Sequence, residues 1–475
     1  MASPANRPAR FQMPVSPSAI VVLLLFLLVL IGLQPLSHTP PKVLLTGGGD
    51  VPRQVAYSLV FLATLGVSGV LRNPRRILVL PISLTLTLTW FLLSVTWAID
   101  PDVSIRRLAL TAMIILTVFL SVRTTGAERT VSLVRLVLML VLVLNYLAVA
   151  VAPEAIHQAA EMGEPGLVGD WRGILAHKNF TGPICAFTII FYLFGPGKIR
   201  PWLKLMVIAA SAYFLYRTGS KTSEGALGLG LAVGMLFKLH RPKYRALILP
   251  AIAIVLSATV LLGQKYIGVL IEPYTRQDAF TGRGQIWPVL LRYATDHPTL
   301  GAGYGSFWNI GKNSPVYLYS KSWVTGLGNG HSGYLDILVA TGLPGLILAV
   351  NAAIVAPTTR LLSSLTLDPR MGSLLLASLV FSAVHNATET TLFERDMVVQ
   401  VFLMLTIALV GAATPPPRRD EAPPSALPRR RPAQAWAPGP APDLIPDPIE
   451  DQTPDPVQDR AQPDPDQAPM RNKQT

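Results

Sequence analysis

Residues 133–151 read LVRLVLMLVLVLNYLAVAV, an apolar stretch whose single charged side chain is Arg135. An α-helix rises about 1.5 Å per residue, so a stretch of this length covers the roughly 30 Å hydrocarbon core of a bilayer. Similar runs occupy residues 20–33, 77–95 and 246–262. The sequence therefore predicts an all-α polytopic membrane protein.

The composition supports this class and argues against others. Apolar residues make up 51% of the chain and charged residues 14%. The net charge is +13, but Lys and Arg lie in short loops and form no basic stripe with interleaved aromatics, which argues against nucleic-acid binding. The single cysteine, Cys185, excludes an intramolecular disulfide and is expected to pack as a small core residue.

We expect about twelve membrane-spanning helices. Their approximate positions are 18–34, 54–71, 77–97, 106–122, 131–152, 180–195, 202–216, 222–237, 246–263, 332–356, 372–389 and 397–413. Lys and Arg of the connecting loops fall mainly on the side that also holds both termini, so that side is predicted to be cytoplasmic. The first run follows Arg7 and Arg10 as in a signal peptide, but without a clean small-residue cleavage site we interpret it as a retained helix.

The spans divide the chain into three regions. These are a cytoplasmic N-terminus at 1–17, a transmembrane domain at 18–413, and a Pro- and Asp-rich tail at 414–475 that is predicted to be disordered and cytoplasmic. The longest outer segments are 153–179 and 264–331, and they should lie above the bilayer or line a wet cavity. The second precedes the tenth span and carries aromatic residues suited to a membrane interface or to sugar stacking: Trp287, Tyr293, Tyr304, Phe307, Trp308, Tyr317, Tyr319 and Trp323.

The most informative motif is NGHSGYLDILVATGLPG at 329–345, where a polar segment becomes the tenth span. His331 lies among glycines whose bare backbone lets a ligand approach closely. Its neutral imidazole is able to take a proton from a hydroxyl near neutral pH, although a lone histidine at a helix start is more often structural. Asp336, about one turn further on, is a candidate for orienting the ring or for favouring the helix dipole.

Cationic residues recur in the other outer segments. Arg283, close to Trp287 in TGRGQIW, and Arg172 in GDWRG are candidates for bidentate contacts to phosphate oxygens. The alternatives are surface arginines or, for Arg172, a structural pair with Asp170. A third cationic turn contains Arg217 and Lys221, for which interfacial anchoring is the simpler interpretation.

The sixth span begins at His177, Lys178 and Asn179, which either cap the helix or bind an anion at its N-terminus. Glu389 is expected to pair with an arginine from another outer segment, because a charge this close to hydrocarbon is costly alone. All these residues map to one face of the membrane, and a pyrophosphate diester on a polyprenyl lipid would match such an array. The sequence contains no Cys/His metal set, Walker loop or dinucleotide glycine fingerprint, so a metal-free reaction without a cofactor is expected.

Together the motifs resemble those of the O-antigen ligase and polymerase-like membrane family. GHSGYLDIL at 330–338 with TGLPG at 341–345 resembles the family signature, and TGRGQIW at 281–287 followed by HPTLGAGYG at 297–305 is similar to the segment before it. GILAHKN at 173–179, SKT at 220–222 and NATE at 386–389 are most similar to exopolysaccharide polymerases of the ExoQ type. The resemblance spans roughly residues 55–413.

The resemblance implies a GT-C-like helical architecture and a metal-independent, inverting glycosyltransferase. The enzyme would lie in the bacterial inner membrane and use a polyprenyl-pyrophosphate-linked saccharide at the periplasmic face. His331 would activate the acceptor hydroxyl, and Arg283 and Arg172 would stabilise charge on the departing pyrophosphate. The candidate substrate-binding residues are His177, Lys178, Asn179, Arg217, Lys221, Trp287 and Glu389.

We therefore expect a polysaccharide polymerase that joins undecaprenyl-pyrophosphate-linked repeat units in exopolysaccharide biosynthesis. Besides donor, acceptor and membrane lipids, candidate partners are a flippase and chain-length or export proteins. The alternative is an O-antigen ligase that transfers the glycan to lipid A core or another acceptor. A transporter of lipid-linked saccharides would also need many helices, but its sites are expected near the bilayer midplane rather than at one face.

Overall fold

A computed structural model describes residues 16–37, 49–158, 167–247 and 282–414. The chain divides into two units, Met1–Pro416 and Pro417–Thr475, and every described residue belongs to the first. Residues 248–263 of the predicted ninth span, most of the N-terminal segment and the tail from residue 415 lie outside the described residues.

The described ranges are helical. The α-helices are α1 Pro17–Ile31, α2 Val51–Ser68, α3 Ile82–Ser94, α4 Pro101–Thr125, α5 Ala127–Val151, α6 Lys178–Phe194, α7 Pro201–Thr218, α8 Lys221–Leu239, α9 Arg283–Asp296, α10 Val316–Tyr319, α11 Gly333–Val350, α12 Ala356–Leu362, α13 Pro369–Thr388 and α14 Val398–Ala413. A π-helical turn, Asn351–Val355, joins α11 to α12. The 3-10 turns are Pro74–Ile77, Val95–Trp97, Pro153–Ala155, Pro242–Leu247, Gly311–Asn313 and Trp323–Gly326. No strand occurs within these ranges, and one isolated antiparallel bridge joins Ile156 to Trp171.

The helix positions agree with the sequence prediction. Each of the other eleven predicted spans falls on a helix among the described residues, including the interval 202–216, which corresponds to α7. Four helices there are long and apolar enough to cross a membrane: Pro101–Thr125, Ala127–Val151, Gly333–Leu362 and Pro369–Thr388. Shorter apolar helices are Pro17–Ile31, Ile82–Trp97, Lys178–Phe194 and Val398–Ala413. The protein is thus a helical membrane protein, while the number twelve and the orientation of the termini remain predictions.

Local sequence explains where several helices begin. Asp50, Asp100 and Asp368 are N-caps of α2, α4 and α13, and each side chain accepts a hydrogen bond from a backbone N–H in the first turn. A proline follows each cap within two residues, where its fixed φ suits the helix and its missing N–H has no consequence.

Close packing of α8 on α13 positions the end of α13. Gly230 and Gly234, four residues apart on α8, lie against the backbone of α13, and a Cβ at either position would come within about 3 Å of Ala377 or Ser373. Small residues at this spacing are a common device for bringing membrane helices into contact. The same two helices also meet at the end of α13, where Thr388 Oγ1 donates to Thr222 Oγ1 of α8 at 3.2 Å, directly before Glu389.

The described part of the second long outer segment, residues 282–331, is more ordered than its sequence suggests. It contains α9, and Ile286, Leu290 and Tyr293 of that helix pack with Phe307 and Trp308 in a second hydrophobic core. The interpretation of the aromatic residues as a surface set is therefore wrong for Tyr293, Tyr304, Phe307 and Trp308, which are buried, whereas Tyr317 and Trp323 are about half exposed. Aromatic rings with a polar atom serve either purpose, and sequence alone does not separate them.

Candidate active site

The carboxylate of Glu389, directly after α13, is the point where three other elements meet. Arg283, the first residue of α9, places Nη2 2.5 Å from Glu389 Oε1. His331, just before α11, places Nδ1 3.4 Å from Glu389 Oε2. Asn179 of α6 donates from Nδ2 to Glu389 Oε1 at 3.3 Å. The structure thus brings together four of the residues singled out from sequence, and it confirms that Glu389 pairs with an arginine from another outer segment.

The backbone around His331 is fixed by hydrogen bonds on both sides. Trp287 Nε1 of α9 donates to the carbonyl of Gly330 at 3.1 Å, and the N–H of Gly333 donates to the carbonyl of Glu389 at 3.1 Å. His331 itself has φ +49°, in the left-handed region that non-glycine residues seldom adopt. A residue held in this conformation by its surroundings is typical of a site where side-chain direction matters.

The site combines buried charge with an accessible ring. The side chains of Glu389 and Arg283 are 12% and 11% exposed, and that of His331 is 31% exposed. Burial alone would raise the pKa of Glu389, but the hydrogen bond with His331 and the charge of Arg283 outweigh it, so the pKa is lowered from its ordinary value. Glu389 is therefore a carboxylate at neutral pH.

Asp336 does not orient the ring of His331, contrary to one of the two sequence interpretations. Its carboxylate accepts from the N–H of Gly330 at 2.9 Å, from Trp308 Nε1 at 2.8 Å and from Thr390 Oγ1 at 2.5 Å. These bonds fix the backbone immediately before the histidine. Because Glu389 lies 58 residues from His331 in sequence, spacing alone favoured the nearer acid.

The start of α6 is partly a cap and partly a contact to the site. His177 is the N-cap, and its Nδ1 accepts from the N–H of Asn179 at 3.1 Å. Lys178 Nζ donates to Asp170 Oδ2 at 2.6 Å. Of these three residues, Asn179 is the one for which a hydrogen bond to Glu389 is observed.

Arg172 is held within the first long outer segment. Its side chain is 1% exposed, and it donates to the backbone carbonyls of Glu154 at 2.5 Å and Ala176 at 3.2 Å. Hydrogen bonds from a buried guanidinium to backbone carbonyls stabilise the conformation of a loop. They favour the structural interpretation of Arg172 over direct contact with pyrophosphate. The proposed partner Asp170 accepts a hydrogen bond from Lys178. Any catalytic role of Arg172 remains a prediction.

Arg217 and Lys221 lie at the turn between α7 and α8. The guanidinium of Arg217 lies 4.3 Å from the ring centre of Trp171, and Nη1 donates to the Tyr213 hydroxyl at 3.3 Å. Lys221 is exposed at the start of α8. These contacts agree with anchoring, and the structure shows no contact between either side chain and Glu389, His331 or Arg283.

Sequence reasoning missed a second group of cations on the same side of the predicted topology. Arg53, Arg106, Arg107 and Arg395 line one pocket, together with Gly49, Asp50, Gln54 and Leu110. None of these four arginines was a candidate site residue in the sequence analysis. Among the described residues, no group of three or more His, Cys, Asp or Glu side chains is placed to share a metal ion.

Comparison with known proteins shows which family this chain resembles. The family model described as O-Antigen ligase (Wzy_C) matches residues 205–350, the part of the chain that contains Arg283, Trp287 and His331. Among characterised proteins, the chain is 26% identical over 196 residues to the exopolysaccharide production protein ExoQ of Rhizobium meliloti (strain 1021). That alignment covers 39% of this chain and 45% of ExoQ, less than half of either. Both findings confirm the resemblance to the O-antigen ligase and polymerase-like membrane family.

Proposed function

We propose that this protein is a polysaccharide polymerase of the bacterial inner membrane. It would join polyprenyl-pyrophosphate-linked repeat units at the periplasmic face during exopolysaccharide biosynthesis, with undecaprenyl pyrophosphate as the carrier. The similarity to ExoQ and to the O-antigen ligase model supports this class of reaction.

One observation carries the proposal: a single carboxylate, Glu389, contacts both His331 and Arg283. With Nδ1 of His331 facing Glu389, Nε2 is left to face an acceptor hydroxyl. Glu389 then stabilises the imidazolium that forms when the ring takes a proton, as carboxylates do beside general-base histidines. Arg283 supplies a guanidinium fork for the phosphate oxygens.

The proposed reaction is one displacement. The acceptor hydroxyl loses its proton to His331 Nε2 as its oxygen bonds to the anomeric carbon of the donor. The bond from that carbon to the pyrophosphate oxygen breaks, and its electrons leave with the pyrophosphate, whose charge Arg283 stabilises. Attack opposite the leaving group inverts the anomeric configuration. Among the residues described here, none is assigned to a metal, and the proposal includes no metal-dependent step.

A ligase is the second candidate, and the similarity to the O-Antigen ligase family model favours it. It would use the same donor but transfer the glycan to lipid A core or another acceptor. The two functions share the leaving group and differ in the acceptor alone.

Deletion of the gene tests the proposal. A polymerase defect leaves single lipid-linked repeat units, because each unit is made and moved across the membrane but not joined. A ligase defect instead leaves long lipid-linked chains. Sizing the lipid-linked saccharides of the deletion strain distinguishes these outcomes, and unchanged saccharides would refute both. Purified protein given donor and acceptor should form new glycosidic bonds, whereas movement of lipid without bond formation would indicate a transporter.

A further inference from the structure

The arginine pocket is defined by Arg53, Arg106, Arg107 and Arg395. It is separate from the Glu389 cluster, which consists of Glu389, Arg283, His331 and Asn179. Its cations come from three places in the chain: the first turn of α2, the first half of α4 and the turn between α13 and α14. The pocket is partly open to solvent. All three segments belong to the side of the protein that sequence places outside the cytoplasm.

The guanidinium groups are held in place by the protein. Arg107 Nη1 donates to the carbonyls of Gly305 at 2.5 Å and Trp308 at 2.8 Å, and Nη2 donates to that of Asn309 at 3.0 Å. Carbonyl oxygens orient a guanidinium without cancelling its charge. Arg53 pairs with Asp396, and Arg395 pairs with Glu394.

The gathered cations destabilise one another. Burial, followed by the charges of Arg53 and Arg107, lowers the pKa of Arg395 to about 9. A lowered pKa means that the folded protein holds this cation at a cost in free energy, which a bound anion would relieve. The acids near the four arginines are Asp50, Asp100, Glu394 and Asp396. The carboxylates of Asp50 and Asp100 are already engaged with backbone N–H groups of their own helices.

One residue of the pocket, Arg395, is close in sequence to Glu389. Glu389 and Arg395 are six residues apart in the turn that joins α13 to α14. Six extended residues span at most about 20 Å, so an anion in the pocket lies within the reach of a short saccharide from His331. A reaction between two lipid-linked substrates involves two pyrophosphates, and the Glu389 cluster accounts for one.

We propose that the arginine pocket binds the pyrophosphate of the acceptor lipid, leaving the Glu389 cluster to the donor's pyrophosphate. This inference rests on the proposed polymerase function. Planar guanidinium groups from several directions suit a group with many phosphate oxygens better than a single headgroup phosphate. A pyrophosphate also carries more charge than the one phosphodiester of a common anionic lipid.

Binding to the purified full-length protein in phosphatidylcholine nanodiscs is the first test. Inorganic pyrophosphate and undecaprenyl pyrophosphate should compete with each other, and nanodiscs containing phosphatidylglycerol should not prevent binding. Arg53→Gln and Arg395→Gln should each weaken pyrophosphate binding about tenfold or more, as expected when a charge-assisted bond is lost. Arg292→Gln, an exposed arginine on α9 outside both clusters, is the matched control and should bind like the wild type.

A variant with the opposite expected effect guards against misfolding. Asp396→Asn removes the acid that pairs with Arg53 and should tighten pyrophosphate binding several-fold. Unchanged binding in Arg53→Gln and Arg395→Gln would overturn the inference. Competition by phosphatidylglycerol as strong as that by undecaprenyl pyrophosphate would also overturn it, since the pocket would then be a general lipid headgroup site.

Kinetics separates this inference from the proposed function. In a reconstituted assay, Arg106→Gln should raise KM for the acceptor and leave KM for the donor near the wild-type value, whereas damage to the fold would alter both. Polymerisation with unchanged acceptor KM in the variant would sink the pocket assignment and leave the polymerase intact. Pyrophosphate binding at the pocket without any new glycosidic bond would refute the polymerase and leave an anion site.

Discussion

At the scale of single residues, Glu389 joins two candidate site residues because its carboxylate has two different neighbours. Arg283 compensates its charge at 2.5 Å, and His331 contacts the other carboxylate oxygen at 3.4 Å. The sequence analysis singled out His331 and Arg283 as candidate site residues and predicted the kind of partner that Glu389 has. The sequence did not predict that Glu389 contacts both side chains. Arg283 lies 106 positions from Glu389 and His331 lies 58 positions from it, and contacts over such separations leave no periodic pattern.

His331→Ala should lower the rate of polymer formation by about 10²–10⁴-fold, as expected for loss of a general base. His297→Ala is the control: this ring also lies in the outer segment, where it packs against Tyr293 at 4.5 Å. The rate of glycosidic bond formation in membranes with equal amounts of each variant is the measurement. Normal polymer from His331→Ala would return this histidine to a structural role.

Glu389→Gln should lower stability at neutral pH by about 2 kcal/mol or more, because Arg283 would keep a buried charge without its partner. The pKa of Glu389 is lowered from 4.5 in the folded protein, so its ionised form contributes stability above about pH 4.5. That contribution is lost as the pH falls further, towards the folded pKa. The difference in apparent Tm between wild type and variant should thus be full at pH 7 and shrink below pH 4.5.

Glu128→Gln is the control for this series, since Glu128 is exposed in the first turn of α5. Its apparent Tm should follow that of the wild type at every pH. A Glu389→Gln variant whose deficit stays constant from pH 7 to pH 4 would contradict the assigned ion pair.

At the scale of elements, α11 contains a kink that its apolar sequence does not reveal. The predicted interval 332–356 is one run in sequence, but Gly342 has φ +69° and ψ −177° and interrupts the helix. The N–H of Leu343 donates to the carbonyl of Pro298 at 2.8 Å. The backbone of the outer segment before α11 therefore packs against the kink. Hydropathy identifies the span because it depends on length and composition, whereas a kink depends on which backbone groups find partners.

Gly342→Ala should destabilise the protein by about 2 kcal/mol or more. An alanine whose φ lies in the left-handed region is unfavourable by about 1–2 kcal/mol, and its Cβ would collide with the backbone of Thr299. Gly411→Ala should instead leave stability equal or slightly higher, because that glycine lies in α14 with open space around its would-be Cβ. Thermal unfolding of both variants in detergent measures the difference, and equal Tm values would show that the kink is dispensable.

At the scale of the whole molecule, the contacts between loops agree with the predicted sidedness. Arg53 pairs with Asp396 among the segments placed outside, and Arg123 donates to the carbonyl of Arg76 among those placed inside. The arginine pocket was not predicted, because its members come from segments separated by most of the chain. Each arginine alone is an ordinary helix-end cation, and only the packing of α2, α4 and the last outer turn makes them a group.

Cysteine labelling tests the orientation, since the natural Cys185 is buried and should react little. Lys312→Cys, exposed in the second outer segment, should react with a membrane-impermeant maleimide in intact spheroplasts. Thr366→Cys, exposed between α12 and α13, should react after permeabilisation alone. The reverse pattern would place the Glu389 cluster on the cytoplasmic side and end the periplasmic assignment.

The turn from Glu389 to Met397 contributes to both cationic groups, with Glu389 at one end and Arg395 and Asp396 near the other. If a substrate bound at one end displaced this short connection, the opposite end would move with it. By thermodynamic reciprocity, each lipid would alter the affinity for its counterpart by the same factor. The nine residues from Glu389 to Met397 would then make the binding of one lipid-linked substrate sensitive to the presence of the other.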